Sequence, residues 1–237
     1  MKRYALCVIA LSVALIAGCG SGGSGTTSTG GVSGGGDGPN LTTTVTFEFN
    51  NFTGVSVAGP FLVSIVPGPY SIQVTVDSGL HRRLDVREEG QLLIVGFEPG
   101  ADIESQTMIV EIAMPSLASI SLAGATVGMI SDFSGSVLEV QLTGVATLDG
   151  LNVIYDLLMA NVGGVSVLMM EDVSPIPAAD INVSGISSAT VNMMDNGVLT
   201  GRVEGISTLS YYGSNVTIDV FIEDDFSSVR RLGDSRP

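Results

Sequence analysis

The chain is poor in the residue types that most often build catalytic, metal-binding or cross-linked sites. Its 237 residues include two cysteines, one histidine, a single lysine and no tryptophan. Both cysteines, Cys7 and Cys19, lie close to the N-terminus, so the rest of the chain has neither a disulfide nor a thiol ligand. His81 has no second histidine or cysteine with which to form a metal site. We therefore expect no metal, no cofactor and no catalytic residues.

Positive charge is scarce as well. The chain has nine lysine and arginine residues against 24 aspartate and glutamate residues, which gives a formal net charge of −15 at pH 7. Removal of an N-terminal segment that contains Lys2 and Arg3 would bring this charge to about −17. Proteins bind phosphate backbones largely through lysine and arginine. The sequence therefore excludes nucleic acid as a partner.

Residues 1–19 predict a lipoprotein signal peptide. Two basic residues are followed by the apolar run 5–17, which is too short to span a bilayer comfortably. Residues 16–19 read I-A-G-C and match the bacterial lipobox, in which the cysteine receives acyl chains and the residues before it are removed. We expect Cys19 to anchor the protein to a membrane. The alternative is an ordinary signal peptide with an accidental cysteine.

The residues after Cys19 favour one membrane and predict a tether. Gly20 and Ser21 are not the aspartate that retains many lipoproteins at the inner membrane of enterobacteria. By resemblance to those proteins, we expect the outer membrane if the source is Gram-negative, on either its periplasmic or its surface face. Residues 20–43 are rich in glycine, serine and threonine, and a flexible chain of their first nineteen residues reaches on the order of 25 Å.

The following segment, 44–220, predicts an all-β domain. Apolar and polar residues alternate in short runs separated by glycine, proline or Asp-Ser-Gly, which is the pattern of strands and turns. In the first half the runs cover residues 44–49, 55–57, 61–66, 70–76, 83–87, 92–97 and 107–114. Only the stretch around residue 80 could form a turn of helix. Residues 221–237 are predicted to form a C-terminal cap and a polar tail.

The second half of this domain is repetitive. Five segments share a glycine flanked by small and apolar residues, at intervals of 20, 20, 21 and 20 residues: Gly124, Gly144, Gly164, Gly185 and Gly205. A fixed period of this length indicates stacked repeats. Twenty residues at about 3.3 Å each can close a coil of three short strands and three bends, with a perimeter of about 66 Å. We therefore predict a parallel β-helix in which each glycine turns a corner.

The alternation also predicts which side chains face the inside of the coils. These are Leu122, Val127, Leu142, Leu148, Val165, Val167, Val183, Val191, Val203 and Leu209. Small residues beside the corners indicate tight packing or a ladder of hydroxyl groups: Ala125, Ala146, Ser166, Ser187 and Ser207. Since a soft metal site would pair methionine with histidine or cysteine, four methionines are predicted to fill the core: Met169, Met170, Met193 and Met194.

Several quoted stretches resemble one known family. Residues 47–76 contain F-T-G-V-S-V-A-G-P-F and Y-S-I-Q-V-T-V, and residues 109–120 read I-V-E-I-A-M-P-S-L-A-S-I. With the Gly-centred repeats and L-S-Y-Y-G-S-N-V at 209–216, they resemble the head GIN domain family, which is labelled as auto-transporter adhesins. The resemblance implies a right-handed parallel β-helix of about 20 residues per coil, a bacterial envelope location and no established catalytic chemistry. Residues 161–164 depart from the repeat, which leaves the register of that coil open.

The sequence favours a non-enzymatic envelope module for structure, adhesion or ligand binding. The long faces of a solenoid suit extended partners such as a polysaccharide or another envelope protein, and its exposed ends could support self-assembly. Tyr211 and Tyr212 could form a binding surface or pack in the last coil. The alternative function is a polysaccharide lyase or hydrolase on a β-helix scaffold. Three carboxylates in one loop could hold a cation: Glu98, Asp102 and Glu104.

Overall fold

A computed structural model of the protein describes residues 42–101, 103 and 108–236. Its first seven strands are β1 (Thr42–Phe47), β2 (Gly54–Ala58), β3 (Leu62–Pro67), β4 (Ser71–Asp77), β5 (Leu84–Glu89), β6 (Leu92–Phe97) and β7 (Ile109–Met114). Each of them overlaps one of the predicted alternating runs, so those predictions are confirmed. A single 3-10 turn, His81–Arg83, occupies the one stretch where a turn of helix was expected.

Eleven further strands form the repetitive half. They are β8 (Ser119–Gly124), β9 (Val127–Ser131), β10 (Ser134–Gly144), β11 (Thr147–Leu151), β12 (Ile154–Val162), β13 (Val167–Asp172), β14 (Ile176–Val183), β15 (Ser188–Val203), β16 (Thr208–Tyr212), β17 (Thr217–Ile222) and β18 (Ser228–Gly233). Neighbouring coils pair in parallel and in constant register, as in the series Val140, Ala160, Ile181, Gly201 and Val220. The predicted parallel β-helix with about 20 residues per coil is therefore confirmed.

Each coil contributes one strand to each of two sheets. Sheet A has the order β1-β4-β7-β3-β9-β11-β13-β15-β16-β18, and sheet B has the order β5-β6-β2-β8-β10-β12-β14-β15-β17. β15 is long enough to serve both sheets, with residues 188–192 in sheet A and 198–203 in sheet B. The expected third side of a coil is short. Where Ser134–Gly135 pairs with Ile154–Tyr155, it simply extends the ladder of sheet B.

The first coil in the sequence is not the first coil in space. β2 lies between β6 and β8 in sheet B, and β3 lies between β7 and β9 in sheet A. β4 then returns antiparallel to β7, β1 pairs antiparallel with β4, and β5 pairs antiparallel with β6. These antiparallel strands close the N-terminal end of the coil stack.

One apolar core runs through the stack between the two sheets. Buried side chains recur in register along it, for example Val55, Ile120, Val140, Ala160 and Ile181. Burying such side chains removes apolar surface from water at roughly 25 cal/mol per Å², which is the main source of stability in a chain without disulfides.

Two of the residues predicted to face inward are exposed instead. Val127 is 47% exposed and Val165 is 51% exposed. Val165 directly follows a corner glycine, and it is the next residue, Ser166, that enters the core. Because side chains alternate along a strand, the core positions of β9 are the even-numbered ones, and Val127 points outward. Among the methionines, Met170 and Met193 are buried, whereas Met194 is 45% exposed and does not fill the core.

The glycine corners lie in a column along the stack. Their φ angles are +80° at Gly124, +82° at Gly144, +81° at Gly164, +82° at Gly185 and +85° at Gly205. A Cβ atom on Gly164 would lie 2.5 Å from the carbonyl oxygen of Gly144. The column thus requires glycine both for its left-handed backbone and for the close approach of successive coils.

A ladder of hydroxyl groups lies inside the same corners. The Ser187 hydroxyl accepts a hydrogen bond from the Ser166 N–H at 3.2 Å and donates one to the Gly164 carbonyl at 3.2 Å. Ser207 repeats this arrangement one coil further on. The predicted ladder exists, but its member in the first repeat is the buried Thr126, because Ala125 is exposed.

The opposite corner of the coils uses a different device. Four asparagine and aspartate residues there have φ between +53° and +63°: Asp132, Asn152, Asn196 and Asn215. These are the residue types that tolerate the left-handed region best after glycine. The described tail, Asp234–Arg236, folds back over this corner. Its Arg236 N–H donates to the buried Asn192 Oδ1 at 2.9 Å, and Asn192 Nδ2 donates to the Arg236 carbonyl at 3.1 Å.

Candidate functional site

A column of polar side chains crosses the outer face of sheet B. Gln141, Asn161, Asn182 and Arg202 occupy the same register in successive strands, each three residues before a corner glycine. All four side chains are exposed. Successive members lie one strand spacing apart, which is about 4.8 Å. We call these four residues the amide column.

The amide column borders a shallow depression of about 310 Å³. Its floor is formed where Gly163 takes the place of the side chains that Thr143, Ser184 and Glu204 supply in the neighbouring coils. Gly163 lies next to the corner glycine and does not have a left-handed φ. The departure of residues 161–164 from the repeat therefore leaves the coil in register and instead creates a depression.

Hydrogen bonds hold the column in place. Asn182 Nδ2 donates to Asn161 Oδ1 at 3.3 Å. Since a primary amide has two N–H donors and an acceptor oxygen, each side chain keeps further groups free for a ligand. The column therefore offers donors and acceptors at regular intervals along the coil axis.

One end of the column is charged. Arg202 Nε donates to Glu223 Oε2 at 3.0 Å and lies 3.3 Å from Glu204 Oε2. The guanidinium also lies over the Phe221 ring, 5.5 Å from its centroid. The hydrogen bond from Arg202 lowers the pKa of the Glu223 carboxyl, so this group stays ionised. The result is a polar surface with a fixed cation and an adjacent aromatic ring.

The family of the chain follows from a comparison with known family models. The model for "putative auto-transporter adhesin, head GIN domain" matches residues 51–215, a span that contains the amide column and all five corner glycines. The chain belongs to the head GIN domain family. The resemblance noted in the sequence is thereby confirmed. A search of curated proteins found no match.

Solved structures share the fold of this head GIN domain. A putative adhesin from Bacteroides fragilis is 14% identical, with a TM-score of 0.66, and the match covers 81% of this chain and 98% of that one. A putative adhesin from Parabacteroides merdae is 17% identical, with a TM-score of 0.52 and coverage of 82% and 98%. A protein from Parabacteroides distasonis described as a putative lipid binding protein is 13% identical, with a TM-score of 0.54 and the same coverage. At these identities the likeness shows the fold alone.

The predicted tyrosine surface is split by the structure. Tyr211 packs against the core and is only partly exposed. Tyr212 lies on the tail side, where Arg236 Nη2 donates to its hydroxyl oxygen at 2.9 Å and the guanidinium lies 4.3 Å from its ring centroid. The two tyrosines thus have different surroundings in this head GIN domain, and neither borders the depression on sheet B.

Other predicted features fall partly outside the described residues. Cys19, the signal peptide and most of the tether precede residue 42, and Asp102 and Glu104 are also outside the described part. Glu98 lies 3.7 Å from Arg83, with which it forms an exposed ion pair. Within 42–101, 103 and 108–236, no group of three or more histidine, cysteine or acidic side chains is arranged to hold a metal ion. The same residues contain no helix that is long and apolar enough to cross a membrane.

The carboxylate with the most acid-like environment lies on the other face of the head GIN domain. Asp149 sits on the outside of sheet A, between Met129 and Met169 in register. Partial burial raises the pKa of the Asp149 carboxyl, and the charges of Asp172 and Glu171 raise it further. A glycosidase needs a protonated and an ionised carboxyl on the same bond. Here the raised and the lowered pKa belong to opposite sheets.

Sequence reasoning missed the amide column although a signal for it was present. Positions three residues before the corner glycines read Ser121, Gln141, Asn161, Asn182 and Arg202. Alternation alone assigns these positions to the outside. That they share one face of one sheet follows only once the parallel register is known.

Proposed function

We propose that the protein is a lipid-anchored adhesion module of the bacterial envelope that binds an extended polysaccharide along sheet B. The observation that carries this proposal is the amide column beside its depression. A polysaccharide repeats its hydroxyl groups along one axis, and the column repeats amide donors and acceptors along the coil axis. Membership of a family described as adhesins supports the same function.

The chemistry of the surface supports binding without turnover. Glu204 and Glu223, the carboxylates nearest to Arg202, are both held by this one guanidinium. Because the pKa of Glu223 is lowered, this carboxyl lacks the proton that a general acid would donate. Phe221 offers a flat apolar surface on which a sugar ring can stack.

The binding proposal is tested with a chain that begins at Gly20 and contains all of the described residues. We expect it to bind members of a glycan array or purified envelope polysaccharide. Asn161→Leu combined with Asn182→Leu, which removes two amides at similar volume, should weaken binding at least tenfold. Thr190→Leu on the outer face of sheet A is the matched control and should bind normally. Equal binding by both variants would refute the assignment to sheet B.

The same assay separates binding from catalysis. If the surface only binds, the polysaccharide recovered from the complex has its original length. New reducing ends or unsaturated products after prolonged incubation would instead establish the lyase or hydrolase alternative.

The anchoring part of the proposal rests on the I-A-G-C sequence that ends at Cys19. Acyl chains on Cys19 would contribute roughly 0.8 kcal/mol per buried CH₂, and two or more chains give a stable anchor. Cys19→Ala should therefore move the protein out of the detergent-soluble membrane fraction and abolish labelling with palmitate. Unchanged fractionation and labelling would contradict lipidation. Separation of inner and outer membranes then tests the proposed outer-membrane location.

A further inference from the structure

The C-terminal end of the coil stack has two strands that lack a neighbour on one side. β17 pairs with β15 and β18 pairs with β16, and neither pairs with another strand among the described residues. Each strand therefore presents a row of backbone N–H and C=O groups along the axis of the stack. Such an edge is a template for pairing with another strand.

The apolar core is also open at this end. Ile218 lies in register with Leu199 and Ile222 lies in register with Val203, both of which are fully buried. Ile218 is nevertheless 39% exposed and Ile222 is 45% exposed. Their side chains point along the core direction, but no further coil covers them.

The tail of the chain does not cover this end. After β18, Asp234 accepts a hydrogen bond from Ser214 and Ser235 donates one to Asp195, while Arg236 reaches Asp172. Each step takes the chain one coil further back towards the middle of the stack. The tail thus runs away from the open edge.

The N-terminal end of the stack differs because it is closed. The inward residues of its outermost strand in sheet A, Thr43 and Val45, are buried. β5, its outermost strand in sheet B, carries Asp85, Arg87, Glu88 and Glu89. Charged edge strands resist pairing with other chains. An end of this kind does not complement the open C-terminal end, so head-to-tail stacking is disfavoured.

We propose that two copies of this chain join through their C-terminal ends, about a twofold axis perpendicular to the coil axis. The twofold places β17 and β18 antiparallel to strands of the second copy, an arrangement in which backbone N–H and C=O groups pair directly. Each copy covers Ile218 and Ile222 of the other. Because the same surface is used twice, the assembly closes as a dimer.

Charge and chain composition favour a second copy over the N-terminal segment of the same chain. Residues 20–41 contain only two large apolar residues, Val32 and Leu41, and they join the fold at β1, at the opposite end of the stack. Four of the eight arginines lie between positions 202 and 236, which reduces the repulsion between two acidic chains at this end.

The mass of the chain in solution tests the proposal. A chain that begins at Gly20 should show a mass in sedimentation equilibrium that rises with concentration and levels off at twice the monomer mass. Ile218→Lys combined with Ile222→Lys should remain monomeric, with circular dichroism unchanged. Ile206→Lys is the matched control, because Ile206 is equally apolar and 61% exposed but lies at a glycine corner. It should still dimerise.

Three results would overturn the proposal. They are a monomer at millimolar concentration, a dimer that persists in the double lysine variant, and a mass that grows beyond two copies. Loss of dimer in Ile206→Lys alone would place the interface on the glycine corners instead. None of these outcomes depends on polysaccharide binding or on lipidation.

A cross-link locates the twofold axis. A chain that begins at Gly20 has no cysteine, so a single introduced cysteine can bond only to its equivalent in another copy. Under oxidised glutathione, Asp219→Cys, Val220→Cys or Phe221→Cys should give a disulfide-linked dimer for the position nearest the axis. Val145→Cys at a glycine corner is the control and should stay monomeric on a non-reducing gel. Equal cross-linking at all four positions would reveal random collision instead of a dimer.

Discussion

At the glycine corners, the backbone leaves no room for a side chain. Gly164 combines a φ of +81° with a Cβ position 2.5 Å from the Gly144 carbonyl oxygen. Its neighbour Gly163 has neither property, since a Cβ there would meet nothing closer than the Ser184 hydroxyl at 3.3 Å. Two adjacent glycines therefore have different reasons to be glycine. The first is needed for folding, and the second shapes a surface.

Gly164→Ala should destabilise the fold by about 2–4 kcal/mol, from the strain of a left-handed alanine and from the steric clash. Gly163→Ala should change stability by less than about 1 kcal/mol. Urea denaturation followed by circular dichroism measures both. Similar midpoints for the two variants would contradict the distinction.

A second residue-scale prediction concerns pH. The pKa of Asp149 is raised in the folded protein, chiefly by partial burial, so the folded state holds this proton more tightly than the unfolded chain. Its contribution to stability is present below the unfolded pKa and is lost as the pH rises through the folded pKa. Asp149→Asn should therefore raise Tm at pH 7, by on the order of 2 °C after allowance for solvent screening.

The same variant should have no stabilising effect at pH 3, where Asp149 is protonated in both states. Asp156→Asn, at an exposed position, is the control for a general effect of charge removal. A rise in Tm of equal size for both variants would point to net charge instead of local burial.

At the scale of a structural element, the hydroxyl ladder has one missing step. Ala146 is buried at the position that serine occupies in the next three coils, and its own N–H donates to the Ser166 hydroxyl at 3.2 Å. The ladder thus stops at this coil for lack of a hydroxyl. A serine there would have the Thr126 N–H and the Gly124 carbonyl as partners in the repeated geometry.

Ala146→Ser should therefore stabilise the protein by about 0.5–1 kcal/mol, which is the net contribution of a typical buried hydrogen bond. Ser207→Ala should have the opposite sign and cost about 1–2 kcal/mol, since it leaves two buried backbone groups without their partner. Thermal denaturation monitored by circular dichroism decides the sign in each case. A destabilising Ala146→Ser would mean that the corner is too tightly packed for an added oxygen.

Alternation and spacing predicted most of the elements, for a physical reason. The period of two along a strand and the glycine needed at a bend are local properties, so they are written in consecutive residues. The position of β2 and β3 between β6–β7 and β8–β9 is a property of distant pairing and leaves no local trace. The exposure of Val165 was missed for a related reason, because the turn at Gly164 shifts which side of the strand faces the core.

The candidate site could be predicted only in part. Its amides recur three residues before each glycine, but their alignment into one surface depends on the parallel register. The depression depends on the absence of a side chain at Gly163. In the sequence that absence had the appearance of an irregular repeat.

At the scale of the whole molecule, the proposed dimer joins two strongly acidic chains, each with a formal net charge of −15 before any processing. Interactions between exposed charges are screened over about 10 Å at 0.1 M salt and over shorter distances at higher salt. Association should therefore strengthen when the sodium chloride concentration increases from about 0.02 to 0.5 M. Sedimentation equilibrium at both concentrations measures this. Weaker association at high salt would show that ion pairs, and not apolar end surfaces, hold the copies together.

The constant register of the coils makes the molecule extendable in fixed steps. Residues 145–164 form one repeat from corner to corner, and the strands on either side of it have the same pairing geometry. Duplication of these twenty residues would lengthen the stack by about 4.8 Å and leave both ends unchanged. It would also add one amide to the column. In this fold, the reach of the protein and the length of the ligand that it can hold are both set by a whole number of coils.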